Sequence, residues 1–162
     1  MSGVPYSQVL GDRDPVPVLE GTPGALTPLI ERAKQRLGDD TPLAEGKWSL
    51  RQLMAHLADC EVAWAWRLRQ ALGSEHSVIQ PFDQDAWARM YPRTYTLEEA
   101  RHTLFALRGW NLAFLHALES GERTRPVTHP ERGEETLWTI AQIMAGHDLH
   151  HLRLLEEQLG EG

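Results

Sequence analysis

The chain has 162 residues, 41% of them apolar, and a formal net charge of −7 from 23 acidic and 16 basic side chains. That length supports one domain with a sizeable core, and the acidic balance argues against a phosphate-backbone partner. No run approaches the roughly 18 apolar residues of a membrane span, the N-terminal MSGVPYSQVLGDRDP lacks the basic and apolar regions of a secretory signal, and the one cysteine, Cys60, cannot close an internal disulfide, which points to a reducing cytoplasm.

Residues 1–22 carry Pro5, Gly11, Pro15, Pro17 and Gly21 with little apolar periodicity, and read as an irregular arm; residues 23–162 read as a single domain. A first helix is predicted through TPLIERAKQRLG, with Thr27 as cap, Pro28 in the first helical position and Gly38 at the end, or with an earlier start at Thr22-Pro23. A second, SLRQLMAHLADCEVAWAWRLRQALG, opens with capping-box spacing between Ser49 and Gln52 and stops at Gly73. Residues 73–95 form a long connection with a short helix around Gln84–Met90, and loops of that length tend to be functional. The third helix starts at a second capping box, Thr96 and Glu99, and ends by Gly121. A further loop, ERTRPVTHPERGEE, leads to a last helix from about Thr136 to Gly160. No stretch alternates convincingly between hairpin turns, so the fold class is all-α: a four-helix bundle with a long loop between helices two and three.

The last helix raises the functional question. Its apolar stripe runs through Leu137, Ile140, Met144, Leu154 and Leu155, and His147 and His151 fall near the middle of it, with His150 to one side. Residues four apart share a helical face, and two imidazoles at that spacing can ligate one metal ion. His56 borders the stripe of Leu53, Leu57, Cys60 and Trp64 on the second helix and can meet the pair across the bundle. Three neutral imidazoles leave coordination positions open for water or substrate. The alternative is a set of satisfied core histidines; polar rings in a core stripe need partners either way. His76, His102, His116 and His129 have no partner at ligand spacing and read as surface residues.

GKWSLRQLMAHLADCE together with GHDLHHLRLLE resembles the DinB/YfiT-like family of metal-dependent enzymes, from the first helix to the end of the chain. The resemblance implies a bundle with up-down-down-up-like connections, a metal held by His56, His147 and His151, and frequent homodimers. It also implies a thiol-dependent transferase or isomerase using a low-molecular-weight thiol, or a hydrolase, acting on a small molecule. A divalent ion, Zn²⁺, Ni²⁺ or Fe²⁺, would activate the thiol or water. The competing function is a non-catalytic metal- or ligand-binding bundle protein of a stress response.

Candidates for a base or further ligand are few. Asp59 lies one turn beyond His56 and suits a histidine partner or a base. Asp83 and Asp85 lie on the long loop and serve equally well as turn and cap residues. Cys60 reads as a small apolar residue before it reads as a ligand, and Asp148 as a salt-bridge partner of Arg108. Trp66 and Trp87 are candidates for an aromatic pocket wall.

Overall fold

The computed structural model describes residues 3–160. Four long helices carry it: α2 (Pro15–Leu37), α3 (Leu50–Gly73), α5 (Leu97–Ala117) and α7 (Leu137–Leu159). Shorter elements fill the connections: α1 (Ser7–Leu10), β1 (Ser77–Val78), α4 (Gln84–Ala88), a 3₁₀ turn Tyr91–Arg93, α6 (Ser120–Arg123), β2 (Pro126–His129) and β3 (Gly133–Thr136). Among the described residues no helix is long and apolar enough to cross a membrane.

The helix starts follow local chemistry. Ser49, Thr96 and Thr136 each accept a backbone N–H from three residues on, and the third residue reaches back in all three, which satisfies donors that a helix start otherwise leaves open. α2 differs from the sequence expectation. Residues 7–10 and 15–22 are helical, not an irregular arm: Asp14 caps α2, Pro15 takes its first position, and the helix runs through Pro23 and Pro28. Thr27 caps nothing; it lies inside α2 and its hydroxyl donates to the Pro23 carbonyl at 2.7 Å. A proline in a helix interior lacks the N–H that would bond the carbonyl four residues back, so Pro23 leaves the Leu19 carbonyl free. The buried Arg108 takes it, with Nη1 donating at 3.1 Å. Pro28 and Gly24 are exposed, so the Gly24 carbonyl that Pro28 leaves free is open to solvent.

The second difference is a small sheet in place of featureless loops. β2 and β3 form an antiparallel hairpin and β1 adds in parallel to β2. Gly133, at φ +90°, accommodates the turn, a conformation that favours glycine. Thr136 is both the last residue of β3 and the cap of α7, so the hairpin fixes where α7 begins.

The apolar residues form two clusters. One holds Leu26, Ile30, Leu50, Met54, Leu104 and Leu155; the other holds Leu19, Trp64, Leu68, Leu115, Leu137 and Met144. α2 and α7 each start in the second cluster and end in the first, while α3 and α5 run the other way. The order is therefore up-down-down-up. α3 packs chiefly along α5 and α2 along α7. Because α3 and α5 are parallel, their connection must return along the bundle, which is why residues 74–96 are long. Between the two clusters every long helix contributes polar side chains: Thr22, His56 and Glu61, Arg108 and Asn111, and His147 and Asp148, all buried.

Candidate metal centre

The polar layer has two parts. In the first, Arg108 donates from Nε to Glu61 at 3.0 Å and from Nη1 to Asp148 at 2.6 Å. Asn111 donates to the other Glu61 oxygen at 2.8 Å, and the Thr22 hydroxyl donates to Asp148 at 2.7 Å. Burial opposes the charge of Arg108, and the two carboxylates beside it raise its pKa above the usual arginine value. This cluster ties all four long helices together. The Arg108–Asp148 pair is the one expected from the sequence. Glu61, Asn111 and Thr22 were not singled out, although a charged Glu61 within the apolar face of α3 was a signal available to be read.

In the second part, α3 and α7 bring His56, His147 and His151 together. Nε2 of His147 lies 3.2 Å from Nε2 of His56 and 3.1 Å from Nε2 of His151. One nitrogen from each of the three falls within 4.8 Å of the others. Two nitrogens bound to one ion at about 2.0–2.1 Å, with angles between octahedral and tetrahedral, stand roughly 2.9–3.4 Å apart, so these spacings fit a shared ion. Burial depresses the imidazole pKa values, to about 4 for His56 and about 3 for His151, with neighbouring His56 and His150 adding to the effect at His151. His147 is lowered well below its ordinary value by burial and by the imidazoles around it. The rings are therefore neutral near pH 7, the state a metal requires. Nδ1 of His147 is buried without a hydrogen-bond partner.

Aromatic rings surround the site. Trp48 lies against His56, and Trp64 and Tyr6 stand edge-on to His147, at centroid distances of 4.7, 5.0 and 5.5 Å. Tyr6 adopts the left-handed conformation at φ +59° and packs on Gly146. A Cβ at Gly146 would stand 2.6 Å from the Tyr6 Cβ, so only glycine admits this approach. Cys60 lies 3.7 Å from His56 Nε2 and 3.9 Å from His147 Nε2; burial pushes its thiol pKa up, which keeps it a neutral, small side chain.

The remaining candidates lie elsewhere. Asp59 accepts the Tyr91 hydroxyl at 3.0 Å rather than a histidine, and burial raises its carboxyl pKa. Asp83 caps α4 through the N–H groups of Asp85 and Ala86, both at 3.0 Å, and Asp85 is exposed in the first turn of that helix. His150 stays out of the cluster, with its ring 5.3 Å from Tyr6. Trp66 and Trp87 do line a common pocket of about 440 Å³ with Phe82 and Asp83. His129 is not a surface residue: it is buried at the end of β2 and lines a pocket of about 270 Å³ against His147. The unread hairpin is what carries it there.

The model of the DinB superfamily matches residues 19–155. The chain belongs to the DinB superfamily. A relative from Oceanobacillus iheyensis, named as a metal-dependent hydrolase, is 33% identical over 113 residues, which is 70% of this chain and 66% of that relative's length. A Bacillus cereus relative with the same kind of name is 28% identical over 133 residues, 82% of this chain and 76% of the relative. Among solved structures, YfiT from Bacillus subtilis, described as a probable metal-dependent hydrolase with an unusual four-helix bundle topology, superposes with a TM-score of 0.78. That match has 28% identity and covers 89% of this chain and 83% of that one. The up-down-down-up order of this DinB-superfamily chain is in keeping with that likeness.

Proposed function

We propose that this DinB-superfamily protein is a metal-dependent hydrolase of a small molecule, with His56, His147 and His151 as the ligands of one divalent ion. The observation that carries the reading is the convergence of three neutral ring nitrogens, with consecutive spacings of 3.2 and 3.1 Å, in an apolar interior. These three residues would hold a divalent ion, Zn²⁺, Ni²⁺ or Fe²⁺, whose chemistry when bound would be to lower the pKa of a water or thiol, so that a nucleophile would be available near neutral pH.

The chain's own residues supply the rest. The Glu61–Arg108–Asp148 cluster fixes α3 and α7 against α5, and with them the separation of His56 from the other two histidines. Trp48 and Trp64 restrict water around the rings. A pocket of about 220 Å³ opens at His151 and Trp48, and one of about 270 Å³ at His147 and Tyr6. Both are larger than a water molecule needs, which gives room for a second nucleophile: a low-molecular-weight thiol in place of water would make the same site a transferase.

Elemental analysis of untagged protein tests the reading. About one divalent ion per chain is expected in the wild type and far less in His56→Ala and His147→Ala. Equal metal content in the variants would overturn the ligand assignment. Turnover of ester and amide substrates with and without added thiol then separates hydrolysis from transfer.

A further inference from the structure

The pocket against His147 is walled by Pro5 and Tyr6 just before α1, by α3 and α7, by residues 81–84 and by the β2–β3 hairpin. Along one face of α3 stand His56, Cys60, Trp64 and Arg67. Helical side chains lean toward the N-terminus of their helix, so Arg67 leans back toward Cys60 and the histidines. Its Nη2 donates to the Gln80 carbonyl at 3.0 Å, and its guanidinium stands 5.3 Å from the Phe82 ring centroid. Among the described residues no ion pair includes Arg67. It is a half-buried cation with no carboxylate at ion-pair distance; the Glu135 carboxylate acts on it from further off and is itself paired with Arg132.

A second donor faces the same space. His129 accepts the backbone N–H of Glu131 on Nδ1 at 3.3 Å, which places the ring proton on Nε2. Burial, with Arg132 adding to it, lowers the His129 pKa, so the ring is a neutral N–H donor. Arg132 lines the rim and is held by Glu135, with Nη2 to Oε2 at 3.0 Å. Glu131 is the rim's acid and pairs with neither arginine. The pocket therefore offers donors beside His147, the one of the three histidines that lines it, and one of these donors is a cation that a planar anion fits in two-pronged fashion.

We propose that this pocket takes the carboxylate, or a comparable anionic group, of the molecule whose reactive end faces the three histidines. Arg67 is the charged partner and the Nε2–H of His129 the second donor. The seven-residue step from Cys60 to Arg67 is a rise of about 10 Å, shortened by the reach of the arginine, so the anion and the reactive group sit a few bonds apart in one small molecule. The inference rests on the metal reading for the reactive end only; the anion subsite stands on Arg67 and His129.

Calorimetric titration with two probe pairs tests it and identifies which molecule carries the anion. The first pair is 3-mercaptopropionate against 2-mercaptoethanol on zinc-loaded protein, for a thiol cofactor. The second is 3-phenylpropionate against 3-phenylpropanamide on zinc-loaded and metal-free protein, for a substrate. In at least one pair the acid binds about tenfold tighter or more than its neutral counterpart, as a charge-assisted contact implies. Arg67→Gln removes the preference, Arg67→Lys keeps part of it, and Arg69→Gln, a substitution beside Asn111 on another face of α3, leaves it intact. Equal binding of acid and neutral probe in both pairs, no binding of either acid, or a preference that survives Arg67→Gln overturns the inference. Zinc content is read in the same samples. A protein that binds no zinc but prefers 3-phenylpropionate through Arg67 would sink the metal reading and leave the anion subsite standing.

Discussion

Two buried polar clusters lie side by side in the same layer, and they are built on opposite terms. Around Arg108 every charge is answered: Glu61, Asp148, Asn111, Thr22 and the Leu19 carbonyl close on one another. Around His147 nothing closes. Its Nε2 stands at hydrogen-bond distance from two other neutral imidazoles, which cannot all be donors and acceptors to one another, and its Nδ1 has no partner. A buried group without a partner costs about 1–3 kcal/mol. A core assembled for stability alone has no use for that cost, whereas a ligand site carries it until the ligand arrives. Neighbouring residues, Asp148 and His147, thus serve different ends of the same helix turn.

The comparison is most easily broken at Arg108. Arg108→Ala strands two buried carboxylates, and urea unfolding is expected to register a loss of about 3–5 kcal/mol. A loss near zero would mean that the cluster is not the structural member of the two. Acidification comes next, in metal-free protein. The unfolded chain takes up protons on its histidines below about pH 6.5, whereas the folded protein resists to about 4 at His56 and about 3 at His151. The unfolded state therefore binds more protons across that window. Stability is full above the upper limit and falls progressively as the pH drops toward the folded values. Melting temperatures of metal-free wild type decline more steeply below neutrality than those of a His56→Leu/His151→Leu variant; parallel profiles would refute the assignment to these rings.

Smaller effects sharpen the contrast. Gly146→Ala drives a Cβ to 2.6 Å from the Tyr6 Cβ and 2.9 Å from its carbonyl oxygen, so α1 must give way. The expected cost is about 1–3 kcal/mol by chemical denaturation, as for other overpacked contacts, and a silent substitution would show that α1 is not held there. The least costly change is His147→Leu, within about 1 kcal/mol of wild type without metal, because an unsatisfied polar ring is replaced by an apolar one. Zinc at about 100 times its dissociation constant stabilises wild type by about 2.7 kcal/mol and leaves this variant's melting temperature where it was.

Much of this was legible before the structure. The capping boxes at Ser49 and Thr96 carry their own signature, since the residue three on supplies the return bond, and both helices start where the sequence places them. The stripe of α7 displays its histidines because helical periodicity is a local property. What stayed hidden depends on residues far apart in the chain. Pro23 reads as an alternative helix start, not an interior position, until Arg108, 89 residues from Leu19, is seen to donate to the carbonyl that Pro23 leaves free. His129 reads as surface because the hairpin around it has four-residue strands rich in charge and proline, and no alternation marks which side faces inward. Glu61 stands out on the apolar face of α3, but no local pattern marks its partners Arg108 and Asn111, which lie 47 and 50 residues away.

The helix that carries two prolines in its interior, Pro23 and Pro28, has a kinetic corollary. Pro15–Leu37 lacks two of its own rungs, and one is replaced only by a side chain delivered from another segment. Such a stretch has little tendency to coil by itself, given how weakly short helices hold in water, so it acquires backbone order and its place in the bundle in one step. Its opening in native-state hydrogen exchange should accordingly keep pace with that of the segment bearing Arg108, as a single cooperative unit.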